Sequence, residues 1–144
     1  MMVYADSSVL VSLVMRDSNS DSATEMMVEG GRKLVFSKLL ELEVGNAIRL
    51  AVGMGRMNEV EGMSSQRRME SFRSSGTWLE VELDWLRVFG RAMELSRGHR
   101  SVMKSRSLDI LHVASAMENG AKTFWSFDDR QRQLAEAVGL RINP

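Results

Sequence analysis

The stretch TFWSFDDRQRQLAEAVGL, residues 123–140, decides how the rest of the chain is interpreted. Its apolar and β-branched residues predict a buried strand from Thr123 to Phe127, and Asp128 and Asp129 follow at once. A helical pattern begins with these two acids. In a parallel α/β sheet, ligand sites form at the carboxyl ends of strands, because loops converge there and helix N-termini point inward. The carboxylate at this position is therefore either a helix cap or part of a site.

The rest of the chain repeats the alternation of strand and helix. This pattern implies right-handed crossovers and a mostly parallel central sheet of four to five strands, covered by helices on both faces. We therefore predict a three-layer α/β/α fold built as a single domain, residues 1–144. The other predicted strands are residues 2–5, the segments GGRKLVFS and TWLEVEL, and LRIN near the end; the predicted helices follow Asp6, reach about residue 29, and span about 37–52, 58–74, 84–97, 107–119 and 128–138.

Composition excludes several kinds of site and partner. The chain of 144 residues has no cysteine, which rules out disulfides and thiolate metal ligands and favours a reducing, cytoplasmic environment. Its 19 acidic and 19 basic residues balance, so no overall charge draws it to nucleic acid or membrane. The apolar run VLVSLVM is too short to span a bilayer, so we expect no membrane association.

Four acids stand out by position. Asp6 ends the first predicted strand, as Asp128 ends the fourth. At 100° per residue, Glu43 falls on the apolar side of its predicted helix, and Asp109 falls on the apolar side of another. A cap or first-turn role would explain Asp6 or Asp128 alone, but it would not explain carboxylates that face inward. We therefore expect the four acids to converge in a partly buried pocket.

Such a pocket needs a cation. Two carboxylates about 4 Å apart repel by roughly 4 kcal/mol at an effective dielectric constant near 20, which is large against the ~5–15 kcal/mol stability of a domain. Hard oxygen ligands suit Mg²⁺ or Mn²⁺. Carboxylate clusters that hold these ions commonly hydrolyse phosphodiesters, because the metal activates water and stabilises the leaving oxygen.

A basic segment precedes one of the four acids. SRGHRSVMKSRS, residues 96–107, contains no acid and is followed by Asp109. A solvated helix end and loop would have this composition, and so would a phosphate-binding rim. The candidate phosphate-binding residues of this segment are Arg97, Arg100, Lys104 and Arg106.

Four segments together resemble a known family. VYADSSVLVSLV, LELEVGNAIR, RSLDILHVASAMENGAKTF and WSFDDRQRQLAEAVGL are similar, in order, to the four motifs of PIN-domain ribonucleases of the VapC toxin type. The resemblance covers nearly the whole chain and implies a PIN-like fold. It also implies an Mg²⁺- or Mn²⁺-dependent endoribonuclease that cuts structured RNA such as tRNA or rRNA. Carried over by position, the metal-binding and catalytic acids are Asp6, Glu43, Asp109 and Asp128.

The resemblance also suggests supporting residues and partners. Ser126 matches a position that supports the site, and Ser7 and Asn46 are candidates to lie near it. His112 is either a catalytic base or a structural histidine, and the second is favoured. VapC-like toxins typically dimerise and are neutralised by a VapB-like antitoxin, so we expect a homodimer and such a partner. Among the twelve methionines, those between residues 40 and 72 are candidates to line an adaptable groove for the antitoxin tail.

Three alternative functions stay open at this point. A PIN-fold nuclease could process RNA outside a toxin system, and the same fold could serve as a binding scaffold without catalysis. A receiver-like signalling module also places acids and Mg²⁺ at strand ends. That class expects paired acids after the first strand and a lysine after the last. Here Asp6 has no second acid beside it, and no lysine follows residue 122.

Overall fold

A computed structural model describes residues 2–30, 33–98 and 104–144. Its five strands form one sheet in the order β3-β2-β1-β4-β5, and all the neighbouring pairs are parallel. The prediction of a mostly parallel sheet of four to five strands is confirmed. The strands are β1 (Met2–Ala5), β2 (Lys33–Phe36), β3 (Trp78–Glu80), β4 (Thr123–Trp125) and β5 (Arg141–Asn143).

Seven helices connect the strands within the described segments. The chain runs from β1 to β3 on one side of the sheet and then returns to β4 and β5 on the other. Right-handed crossovers therefore place α1 to α4 on one face and α5 to α7 on the other, as the packing of α1 against α2, α3 and α4 and of α6 against α5 and α7 also shows. The helices are α1 (Ser7–Val14), α2 (Ser20–Gly30), α3 (Lys38–Gly53), α4 (Glu59–Ser74), α5 (Trp85–Gly98), α6 (Ser107–Asn119) and α7 (Asp129–Ala137). None of these described helices has the length and apolar character needed to traverse a lipid bilayer.

Polar caps set where the helices begin. The Asp6 side chain accepts a hydrogen bond from the backbone N–H of Val9 at the start of α1, and Ser37 accepts from Leu40 at the start of α3. The predicted start of this helix, at about residue 37, is confirmed. The beginning of α1 is thus fixed by the same carboxylate that follows the central strand.

The sheet order creates a crevice beside β1. The chain leaves β1 toward β2 on one side, whereas β4 pairs with β1 on the other side. The backbone N–H of Asp6 donates to the carbonyl of Trp125 at 2.9 Å, so the ends of β1 and β4 lie together. At such a switch point the loops after the two strands diverge and leave room for a ligand.

The predicted strand over residues 123–127 is too long, because β4 ends at Trp125. The Ser126 N–H still donates to the carbonyl of Asn143, but its hydroxyl accepts from the N–H of Asp128 at 2.9 Å and turns the chain. Asp128 therefore lies three residues beyond Trp125, the last residue of the strand. It is the N-cap of α7, which begins at Asp129 rather than at residue 128.

Candidate active site

The four predicted acids line one cavity of about 1170 Å³. It lies at the carboxyl ends of β1 and β4, and its walls come from α1, α3, α6 and the start of α7. Four distant parts of the chain thus bring their carboxylates to a single concave surface. The four residues are Asp6, Glu43, Asp109 and Asp128.

Asp6 is the most deeply buried of the four, with no exposed surface. Its Oδ1 accepts from the Ser8 hydroxyl at 2.5 Å and its Oδ2 accepts from the Ser126 hydroxyl at 2.6 Å. Burial raises the pKa of Asp6, and the hydrogen bonds from Ser126 and Ser8 offset only part of that effect. Within the described part of the chain, no lysine or arginine forms an ion pair with this carboxylate. Asp6 is thus a buried acid held by neutral donors.

Glu43 is held by a histidine that is itself held by a tyrosine. Glu43 Oε1 lies 2.6 Å from Nε2 of His112, and Nδ1 of His112 lies 2.8 Å from the Tyr4 hydroxyl. The Nε2 and Oε1 atoms are in contact but do not form a hydrogen bond of regular geometry, and which atom donates between Nδ1 and the Tyr4 hydroxyl depends on the tautomer of the ring. The Ser7 hydroxyl donates to the other oxygen of Glu43 at 3.3 Å. The His112 ring is buried between Tyr4 of β1 and Glu43 of α3.

Asp109 is fixed at the first turn of α6. Its Oδ2 accepts from the backbone N–H of Arg106 at 2.8 Å, which caps the helix. Its Oδ1 accepts from the side-chain amide of Gln131 at 3.1 Å. Gln131 is buried, and its carbonyl oxygen has no hydrogen-bond partner in the described structure. One carboxylate oxygen of Asp109 thus caps α6, and the other accepts a hydrogen bond from α7.

Asp128 and Asp129 have different surroundings. Asp128 lines the cavity, accepts from the backbone N–H of Arg130 at 2.8 Å and lies 3.4 Å from the Arg130 guanidinium. The Asp129 side chain is 83% exposed, pairs with Arg132 and does not line the cavity. Of the two acids only Asp128 lines the cavity, and its role as a site residue stays a prediction.

The remaining candidates are distributed unevenly. Ser7 and Asn46 line the cavity. Ser126 does not line it but donates a hydrogen bond to Asp6, which does. Of the basic segment, Arg106 lines the cavity, whereas Arg97 and Lys104 are exposed residues outside its lining. Arg100 lies outside the described residues. An RNA-binding role for any of these cations stays a prediction.

Arg130 and Gln131 are among the cavity-lining residues that sequence reasoning missed. Both lie in the run DDRQRQ, which has the composition of a solvated helix start. The available signal was the spacing, because Gln131 follows Asp128 by three residues and therefore shares its face of α7. Only the packing of α7 against α6 shows that this face meets Asp109.

The donor set suits a hard divalent cation, since every acid in the cavity offers carboxylate oxygens and the chain has no thiol. Across residues 2–30, 33–98 and 104–144, no three acid or histidine side chains are gathered closely enough to form a ready metal-binding cluster. Each carboxylate is turned toward a protein donor instead. Asp6, Glu43, Asp109 and Asp128 are the residues that would hold the cation, and this role stays a prediction.

Comparison with known proteins identifies the family. The family model of the PIN domain matches residues 3–137. The chain belongs to the PIN-domain family. Ribonuclease VapC46 of Mycobacterium tuberculosis is 30% identical over 142 residues, which cover 97% of this chain and 95% of that protein. The predicted membership, a PIN-domain protein of the VapC type, is confirmed, and it supports a nuclease of the toxin–antitoxin class.

Two solved structures share the fold of this PIN-domain chain. One is VapBC2 from Rickettsia felis bound to a DNA fragment from their promoter, with a TM-score of 0.64, 10% identity and coverage of 99% of this chain and 98% of that one. The other is PAE2754 from Pyrobaculum aerophilum, with a TM-score of 0.63, 15% identity and coverage of 99% and 89%. At these identities the likeness shows the fold alone.

Proposed function

We propose that this PIN-domain chain is a Mg²⁺- or Mn²⁺-dependent endoribonuclease and the toxin component of a toxin–antitoxin pair. It hydrolyses phosphodiester bonds of structured RNA such as tRNA or rRNA, acts in the cytoplasm, and is neutralised by a VapB-like antitoxin. The support comes from the family, from the VapC46 relative, and from the cavity in which the four acids lie.

The observation that carries the proposal is the state of Asp6. A fully buried carboxylate costs free energy unless a charge of opposite sign compensates for it. Asp6 has only hydroxyl and amide donors, and its pKa is raised by burial. Glu43, Asp109 and Asp128 line the same cavity and add negative charge. A divalent cation bound there would offset this cost.

The protein's own side chains would hold and orient the carboxylates that bind the metal. Ser8 and Ser126 fix both oxygens of Asp6, His112 fixes Glu43, and Gln131 fixes Asp109. When bound, the divalent cation would supply an activated water and stabilise the leaving oxygen. Arg130 and Arg106 would bind phosphate oxygens at the rim, since guanidinium groups suit that geometry.

The proposed partners are supported by the relatives and by exposed apolar surface. A VapBC complex shares this fold, which supports a VapB-like partner for this chain. Phe89, Met93 and Leu108 on α5 and α6 are each about half exposed, which supports a homodimer through that face. Of the predicted methionine groove, Met54 and Met63 are exposed, whereas Met69 belongs to the core. Loss of antitoxin affinity in Met63→Glu would support that groove, and unchanged affinity would exclude it.

The proposal is tested by incubating the purified full-length protein with total RNA and mapping the new ends. We expect cleavage with Mg²⁺ or Mn²⁺ and none with chelator. Asp128→Asn should reduce the cleavage rate at least about 100-fold, because it removes a ligand of the metal. Asp129→Asn is the matched control, since it changes the adjacent acid on a side chain outside the cavity.

Three results would contradict the proposal. They are cleavage that continues at full rate in chelator, equal rates for the Asp128→Asn and Asp129→Asn variants, and absence of new RNA ends with either metal. The neighbouring reading frame separates a toxin from an RNA-processing enzyme, because a toxin is paired with a small gene for a DNA-binding antitoxin.

A further inference from the structure

Gln131 carries a buried oxygen atom that no described residue binds. The side chain is 7% exposed and lines the acid cavity from the first turn of α7. Its Nε2 donates to Oδ1 of Asp109 at 3.1 Å, but its Oε1 is buried and accepts no hydrogen bond within the described structure. A buried carbonyl group without a partner costs stability, so a ligand that supplied a partner would be favoured.

The chemistry of this contact determines which end of the amide is free. An ionised carboxylate only accepts hydrogen bonds, and of the two amide atoms only the nitrogen donates them. The reversed amide would place its oxygen against Oδ1 of Asp109 with no proton between the two atoms. Oε1 of Gln131 is therefore the free atom, and it lies beside the Asp109 carboxylate because it is bonded to the same carbon as Nε2.

A divalent cation is a ligand that fits this oxygen. Hard cations accept the carbonyl oxygens of Asn and Gln side chains along with carboxylates and water. Such an oxygen adds no charge to a cavity that already holds four acids, so it would not increase their repulsion. A cation of the size of Mg²⁺ approaches oxygen to about 2.1 Å, closer than a water molecule does, so it can bind an atom that solvent does not contact.

The acids leave room for a further ligand because several of their oxygens are already engaged. Oδ2 of Asp109 accepts from the backbone N–H of Arg106, and one oxygen of Glu43 accepts from Ser7. Both oxygens of Asp6 accept from serine hydroxyls. Mg²⁺ takes about six oxygen ligands. A neutral side-chain oxygen beside Asp109 would supply one of those that the acids do not.

Fastening α7 to α6 does not by itself require the carbonyl oxygen. The hydrogen bond to Asp109 uses only the nitrogen of the Gln131 amide. A lysine or arginine would donate to the same carboxylate and leave no buried acceptor, but it would place a fixed positive charge where the cation is expected. Glutamine holds the carboxylate and leaves the site open to a cation.

We propose that Oε1 of Gln131 is a neutral ligand of the divalent cation that the acids bind, while its Nε2 positions Asp109. This rests on the proposed metal-dependent function and adds a fifth residue to the four acids. The two ends of one amide then have separate tasks. The nitrogen holds the carboxylate in the metal-free protein, and the oxygen gains its partner when the ion binds.

The test measures Mn²⁺ binding to the full-length protein in the absence of RNA, from the electron paramagnetic resonance signal of the free ion. Gln131→Met keeps the length of the side chain and removes both amide atoms. Gln131→Glu keeps an oxygen at the same place and removes the N–H donor. Gln133→Met is the matched control, because Gln133 lies on the same helix, is exposed and does not line the cavity.

We expect Gln131→Met to weaken Mn²⁺ binding about 10- to 100-fold, the usual effect of removing a group that supports a metal site. Its stability in chelator should change little, because loss of the hydrogen bond to Asp109 and removal of the unpaired carbonyl act in opposite directions. Gln131→Glu should unfold at a lower urea concentration in chelator, because two carboxylates then meet, yet it should bind Mn²⁺ at least as tightly as the unchanged protein. Gln133→Met should match the unchanged protein in both measurements.

Three outcomes overturn the inference. They are unchanged Mn²⁺ affinity in Gln131→Met, equal weakening in Gln131→Met and Gln131→Glu, and no binding of Mn²⁺ by the unchanged protein. The second would reduce Gln131 to a support for Asp109, since both variants lack the N–H donor and only one lacks the oxygen. If RNA binding weakens in Gln131→Met while its Mn²⁺ affinity is unchanged, the oxygen belongs to a substrate contact instead.

RNA cleavage with Mn²⁺ tests the proposed function separately. If Mn²⁺ binding follows the expected pattern but no new RNA ends appear, the ligand assignment stands and the proposed function fails. If the unchanged protein cuts RNA only with metal and Gln131→Met keeps its Mn²⁺ affinity, the proposed function stands and the ligand assignment fails.

Discussion

At the scale of single residues, Asp6 gives a pH-dependent stability with a definite sign. Burial raises its pKa above the ordinary value of 3.8. A carboxyl group whose folded-state pKa is raised favours the fold while it is protonated. Its contribution is therefore fully present below pH 3.8 and is lost as the pH rises through the raised value.

Asp6→Asn should remove the loss of stability that accompanies ionisation of Asp6 as the pH rises. The amide still caps α1, and it carries no charge that burial penalises. In metal-free solution at pH 7 we expect the free energy of unfolding to rise by about 1–3 kcal/mol, the usual scale for an imperfectly satisfied buried polar group. Urea unfolding in chelator from pH 3.5 to pH 8, at roughly half-unit steps, compares the variant with the unchanged protein. A constant difference between the two curves would show that Asp6 does not titrate as expected.

Tyr4, His112 and Glu43 should behave as one coupled unit. Removing His112 leaves the buried Tyr4 hydroxyl and the Glu43 carboxylate without their partner. Tyr4→Phe leaves Nδ1 of His112 without the hydroxyl that it contacts. In a double-mutant cycle of Tyr4→Phe with His112→Ala, we expect a coupling energy of about 0.5–3 kcal/mol in urea unfolding. Asn58→Ala combined with Tyr4→Phe is the control, because Asn58 caps α4 in an exposed turn. Additive effects in the first pair would exclude a shared network.

At the scale of elements, the packing of α3 against α4 depends on Gly62. A Cβ atom at this position would lie 2.6 Å from Cγ2 of Val52, which is closer than carbon atoms approach. Gly62→Ala should therefore destabilise the protein by about 1–3 kcal/mol, although alanine favours a helix by about 1 kcal/mol. Gly90→Ala in α5 is the matched control, since nothing lies within 4 Å of the added atom.

Thermal unfolding separates the two alanine substitutions by sign. Gly90→Ala should raise the midpoint, because it gains helix propensity and meets no neighbour. Gly62→Ala should lower the midpoint. An equal rise of the midpoint in both variants would show that α3 and α4 can move apart without loss of stability.

The order and type of the elements were predictable because apolar periodicity and polar caps are local signals. Ser37 and Asp6 begin helices where the sequence placed them. Pairings between elements were not predictable. Glu118 of α6 has a side chain that is only 12% exposed, because Arg87 and Arg91 of α5 bind it. Gln131 was overlooked for the same reason, since its contact with Asp109 depends on how α7 meets α6.

At the scale of the whole molecule, the four acids tie the fold to the proposed cation. Asp6 follows the central strand, and the others belong to α3, α6 and the start of α7, so the cavity exists only when the sheet and both helix layers are assembled. An ion bound there therefore binds the folded chain and not the unfolded one. Folding and metal binding are then thermodynamically linked.

This linkage predicts stabilisation by metal before any RNA is added. At a free Mg²⁺ or Mn²⁺ concentration 100 times the dissociation constant, the folded state should gain about 2.7 kcal/mol. For a chain of this size the midpoint of thermal unfolding should rise by roughly 5–10 °C. The increase should vanish in Asp6→Asn and Asp128→Asn and persist in Asp129→Asn, at equal ionic strength. An equal increase in all four proteins would place the ion outside the cavity, because only the first two substitutions remove a carboxylate that lines it.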